Sequence, residues 1–249
     1  MIFEDFVMLG KTVPEPNSDG RVFVCSAGWS SEYRKLVRIY PLARRKSPPR
    51  WSQSVVRLER NPKDSRDESW RIAADRTRSA HQNINRCFEI VEERVPPKTR
   101  PQLLKRAFKS SIAEANDQRL SLAIIQPVAK PRLFFEHNPT SPDSPALRLF
   151  DLDEDKPQGA RRFAYIPRLE FADQDGTHRL MLRDWGVYEF MRKNGDDRRY
   201  DLAAALNLTD DSSLLVGNLN HQRNAWLVIS VLNGLVHKAP TLFDDQEAA

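Results

Sequence analysis

The chain has 249 residues, enough for one large or two small domains, and its two cysteines, Cys25 and Cys87, sit among apolar residues without C-x-x-C spacing, which argues against a disulfide or zinc framework. No run reaches the ~18–20 apolar residues of a membrane span, and Glu4 and Asp5 interrupt the N-terminus where a secretory leader would be basic and then apolar, so a cytoplasmic protein without membrane contact is expected. The net charge of +5 is unevenly spread: residues 1–110 hold 23 Lys+Arg against 13 Asp+Glu and the remainder 16 against 21, making the halves +10 and −5. A basic surface on a neutral or acidic body suits a polyanionic partner.

In chain order, Phe3 to Val13, Arg21 to Gly28, Tyr33 to Leu42 and Ser54 to Leu58 are rich in Val, Ile, Phe and Tyr, with PEPNSDG (14–20) breaking the first from the second. No helical segment separates them, so a meander or small barrel is expected instead of a βαβ unit. Ile84, Cys87, Phe88 and Val91 then recur at i, i+3, i+4 and i+7, which predicts a helix stopped by Pro96 and Pro97. A second helix is predicted behind it, with Thr99 as cap, Gln102 completing a capping box, and Leu104, Phe108 and Ile112 as its apolar stripe. The two make a helical hairpin inserted at residues 79–117 between a β module (1–78) and a second β-rich module (118–249).

In that second module, Leu120 to Val128 and Arg132 to Glu136 read as strands, residues 138–159 as a long connection, and RRFAYIPRLEF as a further strand. Asp184 is placed to cap a helix that buries Val187, Phe190 and Met191 and stops at Gly195. Tyr200 to Leu206 is a short helical piece, and Leu214–Gly217 with Trp226–Leu232 form a buried closing hairpin. The fold class is therefore α+β and β-dominated.

The segment richest in binding chemistry is YRKLVRIYPLARRKSPPRW. It sets Arg34, Lys35, Arg38, Arg44, Arg45, Lys46 and Arg50 among Tyr33, Tyr40 and Trp51, and Trp70 follows in a second basic stretch. Cations that displace counterions from phosphate, beside flat rings that accept bases, are what nucleic-acid surfaces need. Core packing of the aromatics and a solubilising role for the loop are the competing explanation.

The run VCSAGWSSEYRKLVRIYPL, followed by DSRDESWRI, resembles the opening of a group of prokaryotic proteins with two OB-like barrels. Cys25, Ala27, Gly28, Arg38 and Pro41 match in kind. The resemblance implies OB-like barrel modules that bind nucleic acid, in association with mobile elements or defence; a PUA-like barrel is the alternative closure for the C-terminal part. Two other functional classes stay open. Pro142-Asp143 followed by Glu154-Asp155-Lys156 has the PD…E-x-K spacing of Mg²⁺-dependent nucleases, and a protein-interaction subunit would carry no such site. With five scattered histidines and no phosphate-cradling glycine loop, no cofactor is expected and the partner is DNA or RNA.

Overall fold

The structure is a computed structural model, and it describes residues 1–16, 22–43, 47–73, 87–138 and 163–235. The first half forms one sheet of seven strands: β1 (Ile2–Lys11), β2 (Glu15–Pro16), β3 (Val22–Ser30), β4 (Lys35–Ala43), β5 (Gln53–Arg60), β6 (Ser69–Ile72) and β7 (Phe88–Glu92). Five of them close into a barrel in the ring order β1-β3-β4-β6-β5, with β5 returning to β1 through pairs such as Phe3 with Val56. All ring neighbours are antiparallel except β4 and β6. Strand alternation explains the filling. Phe3, Phe6, Met8, Val24, Val37, Ile39, Leu42, Val56, Leu58 and Trp70 point inward and pack together. Gly28 is required there, since a Cβ would lie 2.4 Å from the Phe6 ring.

Over its described residues, from Cys87 onward, the predicted first helix is not formed. Phe88–Glu92 is instead the strand β7, paired with β5 from Gln53 to Val56. The reason lies in the barrel: short β6 pairs only with Leu58 to Arg60, and the backbone groups of the preceding β5 residues need another strand. The second predicted helix is broken up. A 3₁₀ turn at Pro97–Thr99 leads into α1 (Arg100–Leu104), a 3₁₀ turn at Lys105–Ala107 and the two-residue strand β8 (Phe108–Lys109), and only then comes α2 (Ile112–Asp117). Thr99 does not cap through its side chain, which donates to the Pro96 carbonyl. Ser111 caps α2 by accepting from the Glu114 amide.

The rest of the chain supplies two further sheets. One is β8 with β9 (Leu122–Ile125), then β13 (Ser213–Asn218) and β14 (Trp226–Leu232). The other is an antiparallel sheet of β10 (Arg132–His137), β11 (Tyr165–Ala172) and β12 (Thr177–Met181). Helix α3 (Trp185–Asn194) forms where expected: Asp184 accepts from the Gly186 amide at 2.7 Å, Val187 and Met191 are buried, Phe190 is half-buried while Tyr188 is buried, and Gly195 ends the helix at φ +75°. A 3₁₀ turn and α4 (Leu202–Leu206) follow.

The outer face of β1 and β3 does not meet solvent. Val7, Leu9, Ala27 and Trp29 pack against Leu122, Ile124, Leu215 and Ile229 of the four-stranded sheet, forming a core that joins the two halves. The approach is close enough to need glycine, for a Cβ on Gly10 would stand 2.7 Å from the Ser230 Cβ. Among the described residues no helix is long and apolar enough to cross a membrane.

Candidate functional site

The fold distributes the sequence-derived residues to three fates. Arg44, Arg45 and Lys46 lie outside the described residues. A second group is tied to, or packed against, the rest of the fold. Arg38 is 4% exposed on the covered face of β4 and donates to the Ser121 carbonyl at 2.7 Å and to the Cys25 Sγ at 3.4 Å. Arg50 reaches buried Asp184 at 2.6 Å and the Val231 carbonyl at 3.3 Å. Trp51 and Trp70 are 7% and 5% exposed, so neither offers a free ring. Trp51 lies under the Arg100 guanidinium at 4.3 Å, and Trp70 meets Phe3 edge-on at 5.3 Å. Tyr33 and Tyr40 are half-buried, Tyr33 against Phe3 at 4.6 Å and Tyr40 against Phe23 at 6.5 Å. The continuous cationic face with open rings expected of this segment is not what the described residues form, because alternation along β4 sends Arg38 into the joint between the two halves.

The third fate is exposure beside a groove. The turn between β3 and β4 is fixed from β1: Asp5 accepts from the Ser30 hydroxyl at 2.6 Å and from the amides of Ser31 and Glu32 at 2.6 and 2.8 Å. Arg34 sits at its end with φ +52°, and Lys35 follows with its ammonium 5.4 Å from the Trp70 ring. Facing this turn is the segment from Val95 to Lys109. Its Val95 amide bonds to the Trp51 carbonyl at 2.7 Å. Arg100 turns inward to bond the Val95 carbonyl at 3.0 and 2.9 Å. Val95, Leu104 and Ala107 enter the joining core. With the apolar side so committed, Lys98, Lys105 and Arg106 project outward and are exposed.

Between turn and segment runs a groove of about 690 Å³, lined by Arg34, Lys98, Lys105 and Arg106 against the single carboxylate of Glu92. A smaller pocket of about 240 Å³ shares Trp29, Arg34 and Arg106 with it and adds Lys35 and Lys109. Two acids line it as well, and Lys109 is paired with Glu114 at 3.6 Å. Glu68 accepts from the Ser121 amide and hydroxyl at 2.9 and 2.8 Å, and Asp67 pairs with Arg60 at 3.2 Å.

The charge pairing elsewhere makes the contrast. Arg66 is bound to Asp64, Arg71 to Glu59, Arg132 and Arg179 to Glu170, Arg168 to Glu136, Arg183 to Glu15, Arg192 to Glu189 and Arg198 to Asp201. Burial alone would raise the Asp64 carboxyl, but hydrogen bonds from Arg66 and Ser69 outweigh it and hold the group at about 2. Arg34, Lys98, Lys105 and Arg106 have no ion-pair partner among the described residues, so the groove keeps its charge.

Sequence reasoning found Arg34 and Lys35 and missed Lys98, Lys105, Arg106 and Lys109. A signal was present: from Arg94 to Ala113 the chain has six Lys+Arg and no Asp or Glu. The nuclease-like Pro142-Asp143 and Glu154-Asp155-Lys156 lie outside the described residues, and no group of three His, Cys, Asp or Glu among the described residues is arranged to hold a metal ion.

Residues 4–95 match a family model described as a domain of unknown function, DUF8758. The matched stretch spans the barrel strands and β7 and ends where the cationic segment begins. No curated protein and no solved structure matches the chain.

Proposed function

We propose that the protein is a nucleic-acid-binding component that grips the phosphate backbone in the groove between the β3–β4 turn and the segment from Lys98 to Arg106. The observation that carries this reading is convergence: four cations without an ion-pair partner among the described residues line one groove with a single acid, whereas many arginines elsewhere, Arg66, Arg71 and Arg183 among them, are held by carboxylates. Such a surface displaces counterions from a polyanion and binds without reading sequence. With Trp51 and Trp70 buried, backbone contact carries the affinity in the groove itself. The ring order of the barrel, with its third and fifth strands parallel, supports an OB-like assignment. Here the ligand surface has moved, because the outer face of β3 is covered by the four-stranded sheet.

Fluorescence anisotropy with a labelled single-stranded oligonucleotide tests the site. The Arg34→Ala, Lys105→Ala, Arg106→Ala triple variant should bind at least about tenfold more weakly. A protein that keeps full affinity in that variant, and loses it when Arg44, Arg45 and Lys46 are replaced together, would move the site to the loop.

A further inference from the structure

The small pocket beside the groove shares Trp29, Arg34 and Arg106 with it and is ring-sized, which phosphate contact alone does not explain. Its lining is mixed: Trp29, Leu36, Leu120 and Leu122 supply apolar surface beside Lys35, Lys109, Asp67 and Glu68, and Arg34 and Arg106 are shared with the groove. At about 240 Å³ it is smaller than the roughly 300–1,000 Å³ of sites that enclose a drug-sized ligand, which leaves room for one ring-sized group. A flat group that packs on the apolar side has Arg34 and Arg106 beside it to receive an attached anion. A nucleotide has that arrangement, with the base and the phosphate separated by the sugar.

We infer that this pocket takes one unstacked nucleotide of a single strand, its base against Leu120 and Leu122 and its phosphate between Arg34 and Arg106. The inference rests on the groove reading above and goes beyond it, because it assigns a preference for single strands. In a duplex every base is stacked and paired, and putting one into the pocket would cost the unstacking energy.

The experiment compares, by anisotropy, a thymidine oligonucleotide, a duplex, and a strand of equal length made of abasic deoxyribose phosphates. The thymidine strand should bind at least roughly fivefold more tightly than the abasic one, the lower end of what stacking a base contributes. Leu120→Asn should bring the thymidine strand down to the abasic level and leave abasic binding unchanged. Retained abasic binding also shows that the variant has folded. Thymidine monophosphate should displace the labelled strand at concentrations where inorganic phosphate does not. Equal binding of thymidine and abasic strands, or equal displacement by inorganic phosphate, overturns the pocket inference while leaving the groove intact. If the wild-type protein binds no polymer at all, the groove reading itself has failed.

Discussion

Two arginines four positions apart on the same hairpin have opposite roles. Arg38 lies on the covered face of β4, bonded to the Ser121 carbonyl and closed off from water, whereas Arg34 ends the preceding turn and lines an open groove. The same division separates Arg50 and Arg66, which tie the barrel to Asp184 and to the Asn218 carbonyl, from Lys105 and Arg106. Positive charge in a sequence therefore marks two different things, internal ties and free surface charge, and only the three-dimensional supply of carboxylates and carbonyls separates them.

This division can be broken from the structural side first. Arg66→Ala should cost about 3–5 kcal/mol of stability, since it strands the Asp64 carboxylate and the Asn218 carbonyl at a buried joint. Chemical denaturation reads the loss, and oligonucleotide affinity well below the melting temperature should not change. If affinity falls in step with stability, the tie and the site are not separate.

Acid should act on the same joint. The Asp64 carboxyl is held at about 2 against an ordinary 3.8, so its contribution is complete above about pH 4 and is lost as the pH falls toward about 2. The loss should amount to about 2 kcal/mol. An Asp64→Asn variant should lack that part of the pH profile, and an unchanged profile would show that Asp64 is not the group responsible.

The exposed pairs provide the weak end of the scale. Arg132, 65% exposed at its side chain, is one of two arginines on Glu170, and Arg132→Ala should cost only about 0.2–1 kcal/mol. The groove triple variant should change stability by less than about 0.5 kcal/mol per site, since its side chains make no ion pair that folding depends on. A large loss of stability there would recast those cations as structural.

Much of the architecture could be read from the residues. Four barrel strands, the Asp184-capped helix and the closing hairpin all follow from alternation, capping and turn chemistry, which act locally. The failures came where a distant demand overrode a local pattern. The residues around Phe88 have helical spacing, yet they pair with β5 because short β6 leaves that edge open. The stretch after Pro97 has an apolar stripe, yet Phe108 and Lys109 pair with Ile124 and Ile125, which ends the helix early. The candidate site was half visible for a related reason. Arg34 and Lys35 sit in an evidently basic run, but Arg38, Trp51 and Trp70 look just as suited to binding until the second sheet is seen to cover one face and the barrel interior to take the other.

The most direct test of the central claim is the salt dependence of binding. With four unpaired cations on a single strand, the slope of log K against log salt should be about −2.8, falling to about −0.7 in the Arg34→Ala, Lys105→Ala, Arg106→Ala variant. A variant that keeps the wild-type slope would show that the groove does not hold the phosphates.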